Sequence, residues 1–350
     1  MSAAMREENM NMRLFWIDAV RVFAILSVIG IHVSAPVFKH TEVGAATWWI
    51  ADFINSFSRF GVPLFLMISG SLLLGKEYDT LDFYKKRALR LLFPLVFWTA
   101  FYHLGINFLN GRELFRLKDI FFLIINKGGF YHLWYLYVFS LAMLFVPFVN
   151  MIIIGKKATS RDYYVLIAII VIFSILLQST LILQVVKNIK FNWYISSMTF
   201  VGLMLVGYII SKKYDTINFN SKVAIIIVLL LSLIGAILNY TVAVKLNIHK
   251  DNFVIIAGGP LSLIISSFIF YAFAKVGGHL RPSKLLSSIA DTSFGVYLLH
   301  PAIIFLSLKA FPVLKSLGII EIPILFCITF TISHCTIYCM RRITIFRYIT

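Results

Sequence analysis

Charge is scarce in this sequence. Only 13% of its 350 residues are charged, and acids are scarcest, with 15 Asp and Glu against 32 Lys and Arg. Soluble domains average about 25% charged and about 45–50% apolar residues; here the hydrophobic share is 60% and the mean hydropathy +0.89. Those figures exclude an ordinary soluble domain. Cysteine is equally sparse. Cys327, Cys335 and Cys339 all fall in the last apolar run, which gives no disulfide framework. Cys335 and Cys339 share a helix face beside His334, where a metal is conceivable, but small polarisable packing residues are the preferred reading. The chain also lacks a P-loop, a metal-ligand constellation and a Ser-His-Asp order. It has no internal repeat or low-complexity tract, and no large soluble domain is expected at either end. The first apolar run is long, carries charge inside and shows no convincing small-x-small cleavage site, so it is expected to persist as a first membrane helix.

What is present is a series of long apolar runs. Ten of them lie near 14–36, 48–74, 88–109, 131–153, 163–185, 193–211, 222–244, 253–274, 286–308 and 317–340. Their length and weak alternation fit helices crossing a bilayer, not the short alternating strands of a barrel. The expected fold class is therefore all-α: a polytopic membrane helix bundle of about ten transmembrane helices, forming a single membrane-embedded domain over 1–350. Lys and Arg favour the N-terminal segment, the even-numbered loops and the C-terminal segment, which places both termini in the cytoplasm by the inside-positive rule. Within the third loop, KDIFFLIIN (Lys118–Asn126) fits a short helix lying along the interface. The net charge of +17 is dispersed through short loops, as anionic lipid headgroups favour, so no nucleic acid is expected. A negatively charged small ligand at the cytoplasmic face is compatible with it.

Several runs carry groups that hydrocarbon should exclude, at roughly 2.5–3.5 kcal/mol for a charge at a helix centre. The first, WIDAVRVFAILSVIGIH (Trp16–His32), holds Asp18, Arg21 and His32. Asp18 stands three residues before Arg21 and can pair with it. Arg21 and His32 are eleven residues apart, which returns a helix to within about 20° of its start and separates them by roughly 16 Å. Both therefore project from one stripe. RFGVPLFLMISG (Arg59–Gly70) places Arg59 near mid-membrane, with Pro63 able to kink the helix and Ser69 and Gly70 permitting close packing. KKRALRLLFP (Lys85–Pro94) presents Arg87 and Arg90 three residues apart, either as a positive-inside anchor or as two guanidiniums facing one phosphate. FYHLWYLY (Phe130–Tyr137) adds His132 and Trp134 at a depth where an aromatic belt is ordinary. SFGVYLLHP (Ser293–Pro301) adds His300 just before Pro301, which should bend its helix. On this topology Arg21, Arg87 and Arg90 gather toward the cytoplasm, Arg59 is central, and His32, His132 and His300 lie in the outer half. Anion-binding groups inside and a proton acceptor outside would suit a site that spans the membrane.

Together these stretches resemble the acyltransferase family 3 of integral-membrane O-acyltransferases. Arg21 and His32 match its R-x10-H, Arg87 and Arg90 its R-x-x-R, and RFGVPLFLMISG, HLWYLY and SFGVYLLHP follow in the expected order over nearly the whole chain. The nearest subgroup is similar to stand-alone enzymes that O-acetylate bacterial surface polysaccharides, such as enterobacterial common antigen.

The resemblance implies a multi-pass protein of the bacterial cytoplasmic (inner) membrane. Its activity would be transfer of an acyl group, acetyl above all, from acetyl-CoA or another acyl-CoA to a sugar hydroxyl of a lipid-linked or cell-surface polysaccharide. The acyl-CoA is a donor substrate, and no tightly bound cofactor or metal is implied. The catalytic pair would be His32, as general base, and Arg21, which would hold or orient the pantetheine end of the donor or polarise the thioester carbonyl. Arg87 and Arg90 would hold the CoA phosphates, and Arg59 would stabilise the oxyanion or position the donor. His132, Trp134 and His300 would bind the acceptor. Direct transfer is the default, with a covalent intermediate on a histidine or on Ser34 or Ser69 as the alternative. The competing expectation is an exporter of polysaccharide or lipid-linked sugar without acyl transfer, since buried Arg and His also line substrate pathways. Expected partners are the acyl-CoA, the glycan or lipid-linked oligosaccharide and the bilayer. Small residues in many spans also permit a homo-oligomer.

Overall fold

The computed structural model describes residues 3–109, 111, 130–155, 167–168, 170–177, 179, 194–246, 254–277 and 280–350. Regular structure there is helical, with no strand among the described residues. In chain order the α-helices are α1 (Ala3–His40), α2 (Ala46–Ser58), α3 (Gly61–Leu73), α4 (Thr80–Leu109), α5 (Trp134–Gly155), α6 (Tyr194–Lys213), α7 (Ser221–Leu246), α8 (Pro260–Val276), α9 (Lys284–Ala310) and α10 (Glu321–Met340). Among the described residues seven stretches are long and apolar enough to cross a membrane: Phe15–His40, Ala46–Leu73, Thr80–Leu109, Trp134–Gly155, Ser221–Lys245, Lys284–Ala310 and Gly318–Met340. Of the other expected spans, 193–211 coincides with α6 and 163–185 contains a helical 170–177. The run at 253–274 becomes the shorter α8, because Gly258 and Gly259 form a turn and Pro260 then opens the helix, a position where its missing N–H goes unused. The segment Lys118–Asn126 lies outside the described residues.

In hydrocarbon the backbone must satisfy its own hydrogen bonds, so helices dominate. Apolar side chains no longer drive helices together there, and close backbone contact matters more. The pair α3 and α6, the most extensive among the described helices, shows how this is done. A Cβ on Gly70 would lie 1.8 Å from the Met204 carbonyl oxygen, and one on Gly207 would lie 2.2 Å from that of Met67. Each glycine is the point where the other helix's backbone comes closest.

Helix α1 is the axis of the bundle, packing against α2, α3, α8, α9 and α10. Val20, Ala24, Ile25, Ile29 and Val33 on it are fully buried. A helix surrounded on so many sides can carry polar groups only toward protein or a cavity, and this one carries Asp18, Arg21 and His32.

The second expected span is not one helix kinked at Pro63. It is broken at Arg59 and Phe60, between α2 and α3. Pro63 lies in the first turn of α3, where an N–H would have no helical acceptor in any case. The break is narrow: the Arg59 N–H reaches Ser56 O at 3.4 Å, and the Leu64 N–H reaches Phe60 O at 3.0 Å. Gly61 lets α3 begin directly against α1, since a Cβ there would lie 2.7 Å from the Ala24 carbonyl oxygen.

Candidate active site

A cavity of about 1100 Å³ surrounds the last third of α1, slightly above the range typical of ligand sites. His32 lines it from α1, Arg59 and Asn55 from the end of α2, and Tyr131, His132 and Trp134 from the segment leading into α5. Lys39, Arg59 and Lys315 face it against one acid, Glu321, so its lining is basic.

Each of these groups is held by a local cause. The broken span exposes Arg59 at a helix end, where its Nε donates to Asn55 Oδ1 at 3.0 Å. Asn55 Nδ2 then donates to the Ile31 carbonyl oxygen and to Ser34 Oγ, both at 3.1 Å. Ser34 in turn donates to the Gly30 carbonyl at 2.7 Å. The guanidinium at the break is thereby tied to the turn of α1 that bears His32. On the opposite wall the Tyr297 hydroxyl donates to the His132 carbonyl, fixing the segment before α5 against α9. Trp134 opens α5 with its ring 5.9 Å from Phe200.

The imidazole of His32 has two ring neighbours at 5.1 Å between centroids, Tyr131 and His300. His300 is also 5.6 Å from His132. It is fully buried on α9 and does not line the cavity, standing behind His32 instead. Among the described residues no group of three or more His, Cys, Asp or Glu side chains is placed to share a metal ion. An imidazole beside a guanidinium in such a chamber can take a proton while a fixed positive charge faces the group that becomes negative.

Arg21, Arg87 and Arg90 stay outside this chamber. On α1 the cavity lining begins at Val28 and does not extend back to Arg21. As the spacing predicts, Arg21 pairs with Asp18 at 3.0 Å. The second Asp18 oxygen accepts from Ser287 Oγ at 3.3 Å, which ties the pair to α9. On α4, Arg90 is exposed, while Arg87 is half-buried with its guanidinium 5.3 Å from the Phe83 ring centre and its Nε without a hydrogen-bond partner. Arg87 also stands near Tyr78 in the preceding loop: burial pushes that phenol up and the guanidinium opposes the shift.

Sequence reasoning overlooked Glu321, Asn55 and Tyr131. Glu321 is only 4% exposed, with a buried Oε1 that has no hydrogen-bond partner. Its signal was available, since it is the one acid after Asp291 and stands amid an apolar run. The expected packing role of the cysteines is not what the structure shows, because Cys327, Cys335 and Cys339 are free and exposed. Their neighbour His334 bonds through Nδ1 to Thr292 Oγ1 at 2.8 Å.

A basic chamber lined by His32 and His132, with His300 behind them, sunk among long apolar helices, defines a multi-pass membrane protein built around a polar cavity. The model of acyltransferase family 3, described as an acyltransferase domain, matches residues 14–338. The chain belongs to that family, and it is an acyltransferase. No curated protein and no solved structure matches it.

Proposed function

We propose that the enzyme transfers acetyl from cytoplasmic acetyl-CoA to a sugar hydroxyl of a lipid-linked or surface polysaccharide, with the acceptor in the cavity around His32. The observation that carries this reading is the convergence of His32 and Arg59, from different helices, on one chamber. His32 takes the proton of the acceptor hydroxyl as its oxygen bonds to the thioester carbonyl carbon. The tetrahedral oxyanion faces Arg59, whose fixed charge is worth most where water is excluded. Collapse breaks the C–S bond, and the departing thiolate receives the proton from His32.

At the other end, the Arg87 and Arg90 guanidiniums hold the CoA phosphates, and the unpartnered Arg87 Nε supports a donor in reserve there. Arg21, roughly 16 Å along α1 from His32, orients the arm of the donor between those two places. His132 and Trp134, joined by Tyr131, receive the acceptor sugar. In this reading ten spans form a single domain over 1–350 in a bacterial inner membrane, with both termini cytoplasmic. On the same reading the enzyme works as do those that O-acetylate surface polysaccharides such as enterobacterial common antigen. Family membership favours acyl transfer over export.

The test compares glycan O-acetyl content by mass spectrometry in cells carrying wild type, His32→Ala or no protein. Acetyl groups are expected with wild type alone, while His32→Ala still inserts and folds. Equal acetyl content in all three would sink the reading.

A further inference from the structure

The residue that follows His300 sets the chemistry of its ring. In a regular α-helix the N–H of position 301 donates to the carbonyl of position 297. Pro301 has no N–H, yet α9 continues through it from Lys284 to Ala310. The Tyr297 carbonyl left over is taken by His300, whose Nδ1 lies 2.7 Å from it and 3.2 Å from the Val296 carbonyl. A carbonyl only accepts, so Nδ1 carries the proton and Nε2 of the neutral ring is a lone pair. That Nε2 is buried and has no hydrogen-bond partner.

Two imidazoles could use it. His132 and His32 both stand against the His300 ring, with centroids 5.6 Å and 5.1 Å away. His32 is the nearer, and it is the ring read above as the base. Two imidazoles joined by an N–H···N bond of about 3 Å have ring centres roughly 5.3 Å apart, and His32 stands at 5.1 Å from His300. The two rings are not hydrogen-bonded in this structure, and active-site hydrogen bonds commonly tighten only in the reacting complex.

We infer that His300 is a positioning residue: its Nε2 accepts the N–H of His32 and so leaves the other His32 nitrogen as a lone pair facing the acceptor hydroxyl. This rests on the reading of His32 as the general base, and it replaces the acceptor-binding role expected for His300. No proton leaves His32 toward His300. As His32 gains the acceptor's proton its ring becomes cationic, and a hydrogen bond from a charged donor is stronger than a neutral one. The interaction therefore grows on the way to the transition state and acts on kcat and not on donor binding.

The test uses inside-out membrane vesicles of cells expressing the protein, with radiolabelled acetyl-CoA as donor and the vesicles' own glycans as acceptor. Rates are normalised to folded protein measured by size exclusion after detergent extraction. His300→Asn keeps a donor toward Tyr297 but loses the acceptor toward His32. His300→Gln places its amide oxygen near the position of Nε2. We expect His300→Asn and His300→Ala to lower kcat about 10–100-fold with KM for acetyl-CoA unchanged, and His300→Gln to retain most of the rate. A change confined to KM, or Gln no better than Asn, overturns the assignment. If His300→Ala fails to fold, the Asn and Gln pair decides alone. Wild-type rates in His32→Ala would instead overturn the role of His32 itself, a different pattern from either outcome at position 300.

Discussion

Asn55 stands between Arg59 and α1: its Oδ1 accepts from the Arg59 Nε, and its Nδ2 donates to Ile31 O and Ser34 Oγ on either side of His32. Removing that amide frees the guanidinium from the turn that bears His32. Asn55→Ala is expected to lower kcat about tenfold, the effect of one hydrogen bond to a charged group at about 1.5 kcal/mol, with KM for acetyl-CoA unchanged. Steady-state rates per folded molecule check this. Unaltered turnover with a lower yield of folded protein would leave Asn55 as a helix tie only.

The paired Arg87→Ala, Arg90→Ala change addresses the opposite end. Each guanidinium–phosphate contact is worth about 1.5–3 kcal/mol, so KM for acetyl-CoA should rise at least about tenfold while kcat stays near wild type. Titration of CoA binding to the purified protein gives an independent reading. Unchanged affinity would remove the phosphate-clamp assignment and leave the pair as an anchor.

Glu321 offers a probe of the acceptor side. Its buried carboxylate faces the cavity at the start of α10, where a helix N-terminus favours negative charge. Glu321→Gln keeps the volume and removes the charge. The expected result is weaker use of acceptor, several-fold in KM, with KM for acetyl-CoA unaffected; kinetics with varied glycan concentration decide it. A shift in donor KM instead would place Glu321 on the other substrate.

Stability has its own test at the α3–α6 contact. Gly70→Ala puts a methyl group 1.8 Å from the Met204 carbonyl oxygen, and such overpacking costs about 1–3 kcal/mol. A lower melting temperature in detergent is expected, despite the better helix propensity of alanine. Gly105→Ala on α4, where a Cβ would meet nothing within 4 Å, should melt no lower than wild type.

Much of this arrangement was legible in the sequence, and the reasons for the rest are physical. Length and apolar content mark the helices because lipid admits few alternatives. The Asp18–Arg21 pair was legible because i and i+3 side chains always meet on a helix. The break at Arg59 was not, since Pro63 nearby suggested a kink; what locates the break is Gly61 against Ala24, a contact between distant parts of the chain. His32, His132 and His300 were singled out separately, but only the packing of α1 on α9 shows that two of them touch as rings. Glu321 and Asn55 escaped notice because their burial is made by other helices. Arg21 and His32 do lie on one continuous helix, but the chamber lining on it begins at Val28 and leaves Arg21 out.

The interruption at Arg59 and Phe60 also divides what the second span must satisfy. α2 leans on α1, α7 and the turn at Gly318–Ile320, whereas α3 is pressed to α6 through Gly70 and Gly207. An unbroken helix would carry any tilt of its first half into that glycine contact. Two half-helices do not, so substitutions that reshape the chamber wall along α2 leave the tightest joint of the bundle undisturbed. The same scaffold can therefore be inherited intact while the lining of the chamber changes.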